Sequence, residues 1–275
     1  MSAIFRRMLA SAIFLLVIVG MSRARAADLP AHVAFTVHSA VLHEARHINI
    51  YTPPSYDMAT AARYPVLYVL DGGLQEDFPH VAHDVDAAIR AGHMRPMIVV
   101  GIENTERRRD MTGVTSVASD RAIAPHVGGS ENFRRFISDE LIPDVEHRYR
   151  TDGHRAIVGE SLAGLFVVET MLVDPQRFDA GIALSPSLWW NDSFLARNAK
   201  LDLQAPRPRR QQTLYVASTG DDGLDEAGGG LLQAALRTEA SPGIRWYYEH
   251  WPKLTHENIY RRASPAIFMQ LFPAH

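Results

Sequence analysis

The sequence contains no cysteine. That absence excludes thiol nucleophiles, disulfides and zinc held by thiolates. Basic charge is not in surplus either: 28 Lys and Arg against 31 Asp and Glu leave a net charge of −3, which gives nucleic acid no electrostatic footing. No repeat, low-complexity tract or second domain stands out. No cofactor and no metal are expected.

What is present has the balance of a globular protein, 47% hydrophobic and 21% charged over 275 residues. The first 26 residues stand apart. Arg6 and Arg7 precede an apolar run from Met8 to Gly20, and Ala24-Arg25-Ala26 follows as an A-x-A cleavage site. The run is short for a membrane span, so residues 1–26 read as a secretory signal peptide. Cleavage would remove Arg6, Arg7, Arg23 and Arg25 and no acid, moving the net charge from −3 to −7. The expectation is an exported protein, periplasmic or secreted, with no stable membrane insertion after cleavage and a single domain over residues 27–275. Oligomeric state is not readable from the sequence.

Val33 to Ser39 and Ala45 to Tyr51 alternate polar and apolar residues and predict an antiparallel pair at a sheet edge. Pro65 to Leu70 and Met97 to Gly101 are near-continuous apolar runs, the pattern of strands buried on both faces. Between them, Val81, Val85, Ala88 and Ile89 share a helical face that Gly92 ends. Ile102 to Gly129 shows no periodicity and is expected as a long functional loop. Phe133 to Val145 predicts an amphipathic helix interrupted at Pro143. Further strands are expected at Ala180 to Leu184, Thr213 to Ser218 and Ile244 to Glu249, with helices at Leu231 to Leu236 and Ser264 to Phe272. Strands alternating with helices mean a mostly parallel sheet covered on both faces, with ligands gathered at the strands' carboxyl ends.

The centre of this pattern is Arg155 to Val168, where an apolar strand, a tight turn bearing Ser161 and an apolar helix follow one another. That is the layout of a nucleophile elbow, with Ala163 in place of the last glycine of G-x-S-x-G. Gly159 and Ala163 are small enough for strand and helix to cross closely. The N–H of Leu162 would face an oxyanion at the positive end of the helix. After the Thr213 strand come Asp221 and Asp222, and after the last strand comes His256. Ser, Asp and His in that order match the triad of the α/β-hydrolases, with Ser161 as nucleophile, His256 as base and Asp222 as first choice of acid. Asp221, Asp225 and Glu226 remain alternatives. Asp71-Gly72-Gly73 ends a buried strand, and the N–H of Gly73 could be the second oxyanion donor.

With these residues in place, the chain resembles the esterase branch of the α/β-hydrolases. This branch holds the hydrolases of enterobactin-type siderophores, feruloyl esterases, S-formylglutathione hydrolases and mycolyltransferases. The resemblance runs from about Pro65 to Phe272. It rests on Tyr68 to Gly72, Val99 to Asn104, Arg109 to Thr112, Gly159 to Gly164, and Ala183 to Trp190. It is closest to the siderophore-esterase-like members, and it implies the same roles for Ser161, His256, Leu162 and Gly73. In that group the acid is often Glu or missing. Glu160 stands where relatives often have His or Gln and receives no role.

Arg107, Arg108 and Arg109 would lie near the pocket mouth by this resemblance, where guanidinium could meet an anionic or phenolate-rich substrate. The alternative is a solvated basic loop capped by Asp110. Of Trp189 and Trp190, one would wall the substrate pocket and the other pack in the core. The expected activity is serine carboxylic-ester hydrolysis through an acyl-enzyme, with siderophore trilactones as leading substrate class. Feruloyl or acetyl esters and acyl transfer are the alternatives. A hydrolase-fold ligand-binding protein is the non-enzymatic one.

Overall fold

A computed structural model describes residues 29–204, 210–221 and 226–274. The expected signal segment therefore lies outside the described residues. Strands β1 (His32–Ser39), β2 (Glu44–Tyr51), β3 (Tyr64–Val69), β4 (Ile98–Ile102), β5 (Thr151–Glu160), β6 (Ala180–Leu184), β7 (Gln212–Thr219) and β8 (Ile244–Trp251) form one sheet. Their order is β1-β2-β4-β3-β5-β6-β7-β8. β1 pairs antiparallel with β2, and β2 with β4; the other neighbours are parallel. This is the α/β-hydrolase architecture with an antiparallel N-terminal edge.

Helices α1 (Phe78–Arg90), α2 (Arg107–Asp110), α3 (Ala118–Ala122), α4 (Ser130–Arg135), α5 (Ile142–Arg148), α6 (Leu162–Val173), α7 (Trp190–Gln204), α8 (Glu226–Glu239) and α9 (Ile259–Leu271) fill the connections. α1 and α9 cover one face of the sheet, and α4 to α8 cover the other. The period of two in β3 sorts its side chains accordingly: Val66 and Tyr68 face one core, Leu67 and Val69 the other. With both faces covered, β3, β4 and β6 are buried at every position, which is why they carry apolar runs. Among the described residues no helix is long and apolar enough to cross a membrane.

Three elements differ from the sequence expectation. The helix interrupted at Pro143 continues through a wide π turn, Phe136–Leu141, and restarts at Ile142. Proline is tolerated there because the first turn of a helix has no N–H bond for it to remove. α7 has no counterpart in the reading of periodicity. Asn191, Asp192 and Ser193 at its start have φ of 50°, 54° and 57°, a left-handed turn whose polar residues hide a helix beginning. α9 starts at Ile259 rather than Ser264 and carries Pro265 inside it.

The long segment after β4 holds α2 and α3, and its anchor is buried. Asp110 pairs with the fully buried Arg46, whose guanidinium lies 5.1 Å from the Phe133 ring centre and 5.8 Å from that of Phe136. Cation–π contact and ion pairing together offset the cost of burying that charge.

Candidate active site

Ser161 sits between the end of β5 and the first residue of α6 with φ 59° and ψ −122°. A non-glycine residue at positive φ costs roughly 1–3 kcal/mol, so the surrounding contacts must impose it. They are visible. The Ser161 N–H bonds Leu184 O at 3.0 Å, continuing the β5–β6 ladder, and Ser161 O accepts from Leu165 N–H at 2.9 Å and Ser187 N–H at 3.0 Å. Gly159 is required by space, because a Cβ there would stand 2.6 Å from the Cβ of Ala163. The expected close crossing of strand and helix is present. Serine at a helix N-cap normally bonds the backbone of the next turn, but here the side chain makes no capping bond. Its Oγ instead lies 3.3 Å from Ser187 Oγ.

The chain leaves β6 as Ser185-Pro186-Ser187, and this turn lies between Ser161 and His256. Ser187 touches Ser161, and Ser185 Oγ lies 3.1 Å from His256 Nδ1. Ser185 is fully buried with φ 43°, and its N–H bonds Ala217 O at 2.7 Å, extending the sheet toward β7. Ser185 Oγ is also 3.4 Å from Thr219 Oγ1, which donates to Asp221 Oδ1 at 2.8 Å. The same Oδ1 accepts the main-chain N–H of His256 at 2.9 Å. His256 itself is half-buried.

On the other flank the groups are ionic. Arg107 donates from Nε to Asp71 Oδ1 at 2.6 Å and from Nη2 to Asp71 Oδ2 at 2.8 Å, with Nη2 also 3.3 Å from Glu160 O. The Gly73 N–H donates to Glu76 Oε2 at 2.7 Å, and Asn104 Nδ2 donates to Glu76 Oε1 at 2.9 Å. Glu160, the residue before the nucleophile, has its carboxyl pushed up to about 7. Burial is the main cause; the charge of His256 pulls the other way, Asp77 and Asp71 add to the rise, and Arg107 offsets part of it. Its Oε1 is buried with no hydrogen-bond partner.

A family model described as "Putative esterase" matches residues 39–242. The ferri-bacillibactin esterase BesA of Bacillus subtilis (strain 168) is 30% identical over 237 residues, covering 79% of this chain and 76% of that protein. The chain belongs to the esterase family. The apo-salmochelin esterase of Escherichia coli O6:H1 is 27% identical over 233 residues, covering 77% of this chain and 70% of its own. An IroE-like serine hydrolase from Shewanella oneidensis superposes with a TM-score of 0.77 at 25% identity, covering 88% of this chain and 80% of that one. This esterase is accordingly an enzyme of ester hydrolysis on an α/β-hydrolase sheet.

Not every residue picked from the sequence joins this esterase's site. Ser161 meets Ser187 and His256 meets Ser185 at the two ends of the Ser185-Pro186-Ser187 turn, and Leu162 follows Ser161 as the first residue of α6. Gly73 is on the β3 flank, but its N–H points at the Glu76 carboxylate rather than into an open hole. Asp222 and Asp225 lie outside the described residues, as does the Glu226 side chain; Asp221 is present and bonds the His256 backbone. Arg107 is at the site but committed to Asp71. Arg109 is not: it pairs with Glu44 at 2.7 Å, Asp110 at 2.7 Å and Glu106 at 3.2 Å, held by the carboxylates that surround it at the β2 edge. Arg107 and Arg109 are thus paired with carboxylates, while Arg108 is exposed and donates to the Ile123 carbonyl oxygen. Trp190 packs in the core and donates to Gly113 O at 2.9 Å, while Trp189 is half-buried two residues after Ser187.

Residues without an assigned role in the sequence reading are Ser185, Ser187, Thr219, Glu76 and Glu160. The two serines stood in the Ser-Pro-Ser-Leu-Trp-Trp stretch, which was itself a signal of the family. Thr219 and Glu76 each join a near neighbour, Asp221 and Gly73, to a distant residue, Ser185 and Asn104, and only the distant half gives them a place at the site.

Proposed function

We propose that this esterase hydrolyses the carboxylic esters of a siderophore scaffold, with trilactones as the substrate class. The observation that carries this reading is the match over about three quarters of the chain to enzymes named for ferri-bacillibactin and salmochelin. In the proposed mechanism Ser161 Oγ attacks the ester carbonyl while His256 Nε2 takes its proton. The oxyanion of the tetrahedral adduct accepts from the N–H of Leu162, which as the first helical residue has no intrahelical acceptor. The Gly73 N–H joins it once the Glu76 carboxylate gives way. His256 returns the proton to the departing alkoxide, leaving an acyl-Ser161. Water then attacks the acyl carbon and gives a proton to His256, which returns it to Ser161 Oγ as the C–O bond to the serine breaks and the acid leaves.

The position of Trp189 beside the Ser187 turn supports a role as an apolar wall for the substrate. Arg107, neutralised by Asp71, would act by shaping the β3 end. Residues 1–26 are proposed as an export signal, placing the mature enzyme in the periplasm or the medium; the N-terminus of the exported protein checks this, with residue 27 expected first.

The central test is a hydrolysis panel of ferric and apo enterobactin, a feruloylated sugar and p-nitrophenyl butyrate. Preference for the trilactone by kcat/KM is expected, and Ser161→Ala should abolish turnover and fluorophosphonate labelling. Preference for the feruloylated sugar would replace the siderophore reading.

A further inference from the structure

The base has more scaffolding than a single acid would supply. Four groups form a closed circuit: the His256 ring, the Ser185 hydroxyl, the Thr219 hydroxyl and the Asp221 carboxylate, which returns to the His256 main chain. Each hydroxyl has one proton to give and can accept at the same oxygen. Asp221 can only accept, so Thr219 must donate to it. With that proton used, a bond between the two hydroxyls runs from Ser185 to Thr219, and with the Ser185 proton used, the ring contact runs from Nδ1–H to Ser185. The direction of the whole chain follows from that one carboxylate: Nδ1–H to Ser185, Ser185 to Thr219, Thr219 to Asp221.

We propose that Ser185 is a positioning residue for His256, its buried hydroxyl holding the Nδ1–H tautomer and tying the ring, through Thr219, to Asp221. The proposal rests on the serine-esterase reading above. Its consequence is that Nε2 carries the lone pair and is the atom that takes the Ser161 proton. No proton travels along the chain: Nδ1 keeps its own while Nε2 gains and loses one. The oriented hydroxyls stabilise the imidazolium as it forms, and donor chains of this kind strengthen one another. Ser185 holds φ 43° at the end of β6, a conformation that would suit glycine, and is buried where a small apolar side chain would satisfy packing alone.

The charges that reach the ring must be kept constant in any test. Among them are Glu160 at the end of β5, whose carboxyl interacts with the His256 charge and in turn with Asp71, Asp77 and Arg107, and Asp221 after β7, which accepts the His256 main-chain N–H.

The variant of choice is Ser185→Gly, which deletes the hydroxyl while easing the positive φ. The measurement is the pH profile of kcat and kcat/KM on p-nitrophenyl butyrate, beside the melting temperature. Expected are a fall of about ten-fold in kcat, KM within about two-fold, and an acid limb moved to lower pH, since a lost acceptor weakens the imidazolium. Melting temperature should hold or rise. Ser185→Ala should repeat the kinetic result. Thr219→Val, which keeps shape and removes the hydroxyl, should cost about three-fold, and the double variant should lose no more than Ser185→Gly alone. A Ser185→Gly enzyme with the wild-type pH profile and kcat overturns the proposal, as does full additivity with Thr219→Val. A neutral Ser185→Gly together with a severe Asp222→Asn would assign the ring to that acid instead. Activity retained by Ser161→Ala would fail the esterase mechanism and is a separate result.

Discussion

On the β3 side of Ser161 the carboxylates of Asp71, Glu76 and Glu160 gather around the Arg107 guanidinium and Asn104, whereas on the β6–β7 side hydroxyls connect the groups. Under the proposed mechanism the two flanks face opposite demands. One must receive negative charge on a carbonyl oxygen, yet it is lined with groups that already carry it. The other must hold a neutral imidazole that becomes positive, and neutral dipoles ending on one carboxylate do that without a buried ion. On that mechanism the ionic flank rearranges when substrate arrives, and the hydroxyl flank does not.

The largest effect expected on this contrast is at the base itself. His256→Ala should lower kcat/KM by roughly a thousand-fold, within the range of general-base deletions, while Asp221→Asn should cost far less because it keeps an acceptor for Thr219; kinetics on p-nitrophenyl butyrate compare them directly. Next, Arg107→Ala strips Asp71 of its bidentate partner and leaves a nearly buried carboxylate beside Glu160. A stability loss of about 2–4 kcal/mol is expected in urea denaturation, well above that of removing an exposed pair such as Arg148–Asp144.

Glu76→Ala removes the carboxylate from the Gly73 N–H, and kcat is expected to rise by about two- to five-fold, as an amide worth up to about 3 kcal/mol in a transition state is released. A fall in kcat would make Glu76 a support for the β3 loop and reverse the contrast between the flanks. The last effect is thermal and depends on pH. Glu160 titrates near 7 in the fold against an ordinary value of 4.5, so the folded state holds the proton longer than the unfolded chain. Its neutral form stabilises the fold below about pH 4.5, and that contribution is lost as pH rises through 7. Glu160→Gln should thus match the wild type at pH 4.5 and gain on the order of 1–3 kcal/mol at pH 8, read by calorimetry at both pH values.

Much of this site was legible before the fold. Gly159, Ser161 and Ala163 announce the elbow because close strand–helix crossing is a local demand on residue size. The buried strands announce themselves because double coverage leaves no polar positions. By contrast, Asn191 to Ser193 conceal α7, since a left-handed turn looks like a loop in residue preference. Arg107 to Arg109 look alike in sequence and separate only through their partners: Asp71 at the site for one, the carboxylates of the β2 edge for another.

What the sequence determined alone was the kind of chemistry and the sheet that carries it, because apolar periodicity and the small residues around Ser161 are properties of short stretches. Tertiary structure decided which polar group answers which. Ser185 meets His256 across 71 residues and Asp71 meets Arg107 across 36, and hydrogen bonds over such separations follow from how strands are ordered in space. A serine's hydroxyl bears no mark of its partner until the chain has brought that partner within about 3 Å.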